Sequence, residues 1–293
     1  MLLLIGYAIV FGSILGGFML SGGNPALLMH VAEFVIICGV ATGLLVIASP
    51  ATVVKQIIRD IIKSFKGGSI SKEDYMDLLK LLYEIFMIGR RNGLIALDEH
   101  VTSPEESSLF NKYPSILKDH NRVNFLRNAL RPIIDGKIKP DQLQDLLNAE
   151  LETMEEEEHR SVDILALVGD SLPGIGIVAA VLGIINTMAA ISEGPEAVGE
   201  KVAAALTGTF LGVLGAYGVV NPLGKKIDYM HKSNFTYYNT MSKAISGFAR
   251  GLAPIMAVEI ARRGLDEDVK PEADELEKIL KSLNSTGGSP SPQ

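Results

Sequence analysis

Residues 166–183 read ALVGDSLPGIGIVAAVLG, and residues 208–223 read GTFLGVLGAYGVVNPL. Both stretches lie in apolar runs that are long enough to cross a bilayer, which takes about 20 residues. Each carries a proline near one end, Pro173 in the first and Pro222 in the second. Because proline has no N–H and clashes with the carbonyl four residues back, the two helices share the same weak point.

The carbonyl groups that these prolines free belong to Gly169 and Gly218. In lipid, a freed carbonyl has to be satisfied by protein, by water or in a cavity. We therefore predict that the two helices form a moving, partly hydrated pair rather than a passive anchor.

Four apolar stretches predict an all-α integral membrane protein, and 47% of its residues are hydrophobic. The four stretches cover about 2–20, 31–50, 164–191 and 202–223. Short, turn-rich links at 21–30 and 192–201 join them in two pairs. The sequence therefore predicts four transmembrane helices in two hairpins, with a large helical domain in the cytoplasm.

The basic residues are distributed unevenly along the chain. Of the 27 Lys and Arg residues, all except Lys201 lie in 51–163 or after residue 224. By the positive-inside tendency, both termini and the middle segment lie in the cytoplasm. The net charge of −7 gives a nucleic-acid partner no electrostatic support.

These patterns divide the chain into five segments. They are a first transmembrane hairpin at 1–50, a cytoplasmic helical domain at 51–163, a second transmembrane hairpin at 164–223, cytoplasmic helices at 224–284 and a disordered tail at 285–293. Few β-branched residues alternate with polar ones, so we expect almost no sheet.

The middle segment reads as helices separated by turns. Residues 53–65 either continue the second span or form a basic helix at the lipid headgroups. Residues 72–89 place an apolar stripe on one face, made by Tyr75, Leu78, Leu79, Leu82 and Phe86. Further helices are predicted at 121–134 and 141–160.

Small residues recur along the spans at spacings that let membrane helices approach closely. They are Gly12, Gly16 and Gly17 on the first span, Gly176, Ala180 and Gly183 on the third, and Gly208, Gly212 and Gly215 on the fourth. Packing within the chain accounts for part of this pattern. Their density on the third and fourth spans predicts contacts with other subunits or with a foreign helix.

Two acids lie within the spans, where charged residues are candidates for function. Glu33 begins the second span, where it could equally serve the positive helix N-terminus. Asp170 lies beside the proline of the third span. No carboxylate, Lys or His lies at the centre of any span, so an ion carrier would have to come from another chain. Thr207 and Thr209 offer hydroxyl oxygens, although helical Thr commonly bonds to its own backbone.

Opposite charges surround an Asn92-Gly93 turn signal in the middle segment. Arg90 and Arg91 precede the turn, while Asp98 and Glu99 follow it. We predict a helix-turn-helix tip there, which is either plain solvated surface or a docking site for a charged partner.

The sequence has no motif that is typical of a metal site or an enzyme. The five histidines have no paired metal-ligand spacing, and no phosphate loop or nucleophile elbow occurs, so we expect neither a metal site nor an enzyme. The single cysteine, Cys38, lies in an apolar run and predicts a buried, inert thiol.

Taken together, these motifs resemble the A subunit of flagellar motor stators, the MotA/PomA family. The two proline stretches match its third and fourth spans. AEFVIICG at 32–39 resembles the opening of its second span, with the acid on Glu33. GRRNGLIALDE at 89–99 resembles its rotor-contacting region, and GLAPIMAVEIARR at 251–263 its tail motif.

The resemblance implies an assembly in the bacterial inner membrane without a bound cofactor. In this family five A subunits surround two B subunits, whose single membrane helices each carry the ion-binding Asp. Ion passage is thought to rotate the A ring and to turn the switch ring of the rotor through cytoplasmic charges.

The resemblance also implies roles for single residues. Pro173, Pro222, Thr209, Asp170 and Ala180 fall along the ion path and its coupling to movement.

By the same match, Arg90, Asp98 and Glu99 fall in the rotor-contacting region, with an aspartate at 98 where the family commonly has glutamate. Ala180 stands where sodium-driven relatives carry threonine, which favours H⁺ over Na⁺ as the translocated ion.

Three other interpretations remain at this level. An energising subunit of the ExbB/TolQ type normally has three spans, so the first hairpin argues against it. A membrane scaffold without transport is disfavoured by the paired prolines. A free-standing channel is disfavoured by the missing mid-span carrier.

Overall fold

The structure is a computed structural model that describes residues 2–67, 70–189, 192 and 194–286. The described residues form helices and turns without any strand, as predicted. Their α-helices are α1 Leu2–Leu20, α2 Val31–Ala48, α3 Ala51–Lys66, α4 Lys72–Asn92, α5 Asp98–Thr102, α6 Pro114–Leu117, α7 His120–Ile134, α8 Pro140–Ala189, α9 Pro195–Leu214, α10 Asn221–Ala249, α11 Pro254–Arg263 and α12 Ala273–Thr286. Short 3₁₀ turns occupy Pro25–Leu28, Leu94–Leu97 and Phe110–Lys112, and a π turn occupies Gly215–Val220.

The chain folds into two compact units. The first takes in the described residues of Met1–Gly68 and Glu156–His231, and the second takes in those of Ser69–Glu155 and Lys232–Gln293. Helices α8 and α10 pass from one unit to the other, so each contributes residues to both.

The first unit contains the four apolar helices that the sequence predicts. Their hydropathy and length are sufficient to cross a membrane. Helix α8 has 50 residues, which is about 75 Å at 1.5 Å per residue and more than twice the hydrocarbon thickness of a bilayer. Only the apolar part of α8, which lies within the predicted span 164–191, can therefore lie in lipid. The helix predicted at 141–160 is the first part of the same helix.

A break separates the second span from the helix that follows it. Pro50 is extended, with φ −66° and ψ 156°, and α3 begins at the next residue. Residues 53–65 are therefore a helix of their own and not a continuation of the span. Its Val53 and Ile57 are buried in a small apolar core. The other members of that core are Val162, Leu165, Leu223 and Ile227.

The second unit is built around α4. A capping box starts this helix, in which Ser71 accepts from the Asp74 N–H and the Asp74 carboxylate accepts from the Ser71 N–H. The whole predicted stripe is buried, from Tyr75 to Phe86. Phe86 stacks on Phe248 with ring centroids 4.4 Å apart. The periodicity of residues 72–89 therefore identified the core of this unit.

Two expectations need correction. Cys38 is exposed on the surface of the chain instead of buried, because it lies on a side of α2 that the other described helices do not cover. The tail was predicted to begin at residue 285, but residues 285 and 286 complete α12. Residues 287–293 lie outside the described residues.

Candidate functional site

The third and fourth spans pack against each other through glycines. A Cβ atom on Gly212 would lie 2.6 Å from the carbonyl oxygen of Leu172 and 2.7 Å from the Cα of Gly176. A Cβ on Gly176 would lie 2.9 Å from the carbonyl oxygen of Gly208. These atoms belong to backbone, so a side chain could not be accommodated without moving one helix.

The structure confirms packing within the chain, one of the two uses predicted for these small residues. Those on the third and fourth spans serve packing inside the chain, since Gly176, Gly183, Gly208 and Gly212 meet atoms of the opposite span. The reason is that the two spans are joined by a short link and lie side by side. On the first span, by contrast, Cβ atoms on Gly12, Gly16 and Gly17 would meet no atom of the described chain within 4 Å.

An asparagine joins the two proline segments. Asn221 precedes Pro222, and its amide oxygen would lie 1.8 Å from a Cβ on Gly169. Its Nδ2 donates to Oδ1 of Asp170 across 3.4 Å. The segment before Pro222 therefore rests on the segment before Pro173, a contact that the sequence pattern did not indicate.

Pro222 follows a π turn, and the sequence had predicted only a simple kink there. The Asn221 N–H binds the carbonyl of Ala216, five residues back instead of four. Such wide turns are often found at functional sites of helices.

Tyr7 of the first span supports this π turn. Its hydroxyl donates to the carbonyl of Val219 across 3.1 Å, and a Cβ on Gly218 would lie 3.3 Å from Cγ1 of Val10. The Tyr7 hydroxyl thus binds the carbonyl of Val219. It does not bind the carbonyl of Gly218, the one that Pro222 is predicted to free. Sequence reasoning missed Tyr7, although a tyrosine hydroxyl in an apolar span needs a partner.

Thr209 and Ala180, two of the residues predicted along the ion path, lie where the third and fourth spans touch. Thr209 and Ala180 are both half-buried. The Thr209 Cα would be 3.3 Å from a Cβ on Gly176, and the Ala180 nitrogen 3.2 Å from a Cβ on Gly208. Pro173 is half-buried, whereas Asp170 and Pro222 are exposed on this chain. The structure therefore brings all five predicted path residues to the paired spans.

The neighbouring Thr207 is used inside the chain. It is buried, and its hydroxyl lies 2.9 Å from the carbonyl of Ala203 in its own helix and 3.3 Å from that of Leu27. The prediction that a helical Thr bonds to its own backbone is confirmed for this residue.

Glu33 is buried in the first turn of α2, with 6% of its surface exposed. The residue before the helix, His30, makes no side-chain hydrogen bond to the helix end. A carboxylate here is favoured by the positive end of the helix dipole.

The second unit presents the predicted charged tip. Arg90 and Arg91 lie in the last turn of α4, and Gly93 turns the chain with φ +86°, a value that suits glycine. After the turn, Asp98 and Glu99 open α5. All four charged side chains are exposed, so the tip displays two basic and two acidic groups.

Both arginines of the tip also hold other parts of the second unit. Nη1 of Arg90 donates to the carbonyl of Gly251 across 3.4 Å, and Nη2 of Arg91 donates to Oδ1 of Asn284. Both contacts are exposed and go to neutral acceptors, so the arginine charges stay available to a partner.

The sequence of the chain matches two family models. One is described as motility protein A N-terminal and covers residues 4–93, and the other is the MotA/TolQ/ExbB proton channel family and covers residues 118–240. A motility protein A from Salmonella typhimurium is 34% identical over 285 residues, with 97% of both chains covered. The chain belongs to the motility protein A family.

Other relatives and solved structures agree with this family. A chemotaxis protein LafT from Vibrio parahaemolyticus is 34% identical over 94% of this chain and 97% of its own. The structure of C. jejuni MotAB matches with a TM-score of 0.76 and 25% identity, and covers 90% of this chain and 95% of that one. The flagellar MotAB stator complex of Bacillus subtilis shares the fold, with a TM-score of 0.73 over 94% of this chain and 98% of that one at 24% identity.

Proposed function

We propose that this chain is the A-type subunit of a flagellar motor stator, which converts an ion-motive force into torque together with a B-type subunit. The observation that carries the proposal is the joined pair of proline segments in spans whose centres hold no acid, Lys or His. Helices that carry a proline are kinked there, and two such kinks in packed helices would let the spans bend. Spans without a central titratable group need the ion carrier of another chain.

The partner in this proposal is a B-type subunit whose membrane helix supplies the ion-binding aspartate. The chain itself assembles as a homo-oligomer, a pentamer in our proposal, around two such helices. Ile177, Val181 and Ile184 support this arrangement, because they form one exposed apolar face of the third span at helical spacing.

The translocated ion in this proposal is H⁺. Ala180 has no oxygen to offer in its side chain, and Na⁺ requires several oxygen ligands, whereas one carboxylate of the partner can take up a proton. Na⁺ is the alternative that the experiment below distinguishes. The chain performs no covalent chemistry in this mechanism.

The chain is a multi-pass protein of the bacterial inner membrane, with both termini and residues 51–163 in the cytoplasm. The distribution of Lys and Arg supports this orientation. The charged tip with Arg90, Asp98 and Glu99 then faces the switch ring of the rotor, where opposite charges would set register and orientation.

An energising subunit of the ExbB/TolQ type is the second candidate, since one family model is common to both groups over residues 118–240. The match of residues 4–93 to the motility protein A model favours the stator. The first hairpin, which is part of that match, is extra to the three spans of the second candidate.

The decisive experiment is co-expression with the cognate B-type subunit in a strain that lacks its own stators. We expect swimming to be restored in Na⁺-free medium and to be unchanged by added Na⁺. Swimming only with Na⁺ would replace the proposed ion, and failure to swim with normal membrane levels of both chains would contradict the stator function.

Vesicles that contain this chain alone provide the control. Because the ion carrier belongs to the partner, we expect no proton or Na⁺ flux above the background of empty vesicles. A clear flux from the chain alone would overturn the two-chain ion path.

A further inference from the structure

A buried carboxylate lies where three helices of the first unit meet. Asp60 of α3 accepts a hydrogen bond from the Ser161 hydroxyl of α8, with Oδ2 and Oγ 3.2 Å apart. The same Oδ2 lies 3.1 Å from Nε2 of His231 in α10. Asp60, Ser161 and His231 expose 5%, 0% and 7% of their surfaces. All three residues lie outside the apolar spans. Asp60 follows the second span, Ser161 precedes the third, and His231 follows the fourth.

Apolar and acidic side chains surround this cluster, and Lys225 lies 3.9 Å from one of the acids, Asp228. Ile57 and Ile227, neighbours of Asp60 and His231 along their helices, are almost fully buried. Asp228 of α10 is also buried, and Glu158 of α8 acts electrostatically on the imidazole. A carboxylate buried beside apolar groups is costly unless it is paired.

Protonation of His231 supplies that pairing. A neutral imidazole leaves the Asp60 charge buried with neutral donors, whereas an imidazolium forms an ion pair with it. Burial lowers the pKa of His231, but the hydrogen bond to Asp60 and the charges of Glu158, Asp60 and Asp228 outweigh burial and raise the pKa above its ordinary 6.5.

We propose that Asp60, Ser161 and His231 form a proton-binding site that joins α3 to the extensions of the third and fourth spans. The ligand is a single proton on the imidazole, which turns the hydrogen bond between Asp60 and His231 into an ion pair between α3 and α10. The site is separate from the proline segments, and it does not depend on the proposed ion path.

The site makes the packing of these helices dependent on pH. Because the pKa of His231 is raised in the folded state, its stabilising contribution is complete below about pH 6.5, the ordinary value. It is lost as the pH rises through the raised pKa of the folded state. An alkaline medium therefore loosens the attachment of α3.

The test measures proton binding on the purified full chain in complex with its B-type subunit. Exchange of the imidazole Cε1 hydrogen for deuterium, read by mass spectrometry, gives a titration midpoint for each histidine. We expect the midpoint of His231 to lie above the ordinary imidazole value of 6.5. In Asp60→Asn we expect the His231 midpoint to fall, because the negative charge beside the imidazole is removed.

A midpoint of His231 at or below 6.5, or one that Asp60→Asn leaves in place, would overturn the site. If Asp60→Asn does not fold, the His231 midpoint in the unaltered complex decides alone. A second readout is thermal unfolding between pH 6 and pH 9. The stability advantage of the unaltered complex over His231→Gln should shrink as the pH rises.

Discussion

At the scale of single residues, backbone contact between two spans explains why glycine is needed at certain positions. Gly212 faces the carbonyl oxygen of Leu172 and the Cα of Gly176. Gly174 lies next to Pro173 on the same helix, but a Cβ there would meet no described atom within 4 Å. There is thus no room for a side chain at Gly212, whereas there is room for one at Gly174.

This difference predicts the effect of adding one methyl group. Gly212→Ala should destabilise the protein by about 1–3 kcal/mol through overpacking, because neither neighbouring group can move without shifting a helix. Gly174→Ala should leave stability unchanged or raise it by up to about 1 kcal/mol, because alanine favours a helix over glycine. The measurement is the thermal unfolding of the detergent-solubilised protein, and equal melting temperatures for the two variants would contradict the close approach.

At the scale of elements, the fourth span is interrupted where it meets the first and third. The π turn Gly215–Val220 widens the helix just before Pro222, and Tyr7 and Asn221 hold it from two sides. A wide turn inside a helix departs from the regular i to i−4 bonding, and such turns are often found at functional sites. This is the element that we expect to move with each ion.

The prolines themselves can be tested by substitution. Pro173→Ala and Pro222→Ala each restore a backbone donor and straighten the helix. We expect normal membrane levels and normal recovery with the B-type subunit, but no swimming. Swimming at the unaltered speed in both variants would exclude coupling through the kinks.

The support from the first span gives a graded prediction. Tyr7→Phe removes one hydroxyl and with it a hydrogen bond to Val219, worth about 0.5–1.5 kcal/mol net. We expect assembly to persist and swimming speed to fall, but not to zero. Tyr229→Phe, at a tyrosine with 70% of its surface exposed, is the matched control. Equal speeds in the two variants would mean that the Tyr7 hydrogen bond does not hold the turn.

At the scale of the whole molecule, this chain carries only part of its function. Its spans provide packed helices without a central titratable group, and its second unit exposes two basic and two acidic side chains at one tip. Both features suit the assembly proposed above, in which another chain brings the carrier and a rotor protein receives the force.

The charged tip tests the rotor end of this assembly. An exposed ion pair contributes only about 0–1 kcal/mol, so neutral substitutions should weaken swimming partly. Charge reversal adds repulsion, and Arg90→Glu or Asp98→Lys should impair swimming more strongly. Ion flux through the complex should persist. Compensating reversals on the rotor protein should restore some torque.

A reversal elsewhere in the second unit serves as the control. Lys137→Glu changes an exposed charge that pairs with Asp135, and it should leave swimming unaffected. If ion flux and swimming fell together in the tip variants, these residues would serve folding or assembly, and the rotor contact would have to be abandoned.

The sequence alone determined the features that depend on neighbours along the chain. Span positions follow from the length of apolar runs, so α1 coincides with the predicted 2–20. The core face of α4 follows from helical periodicity, and the tip at Asn92-Gly93 from turn chemistry. The missing mid-span acid is a property of composition, which folding cannot change.

Only the tertiary structure decided which distant groups meet. Tyr7 reaches a carbonyl 212 positions away, and Asp60 pairs with His231 across 171 positions. Gly176 of the third span and Gly212 of the fourth, which no local pattern pairs, meet at their backbones. No local pattern encodes these contacts, because they arise when several helices share one packed interior and each buried polar group must find a donor or acceptor there.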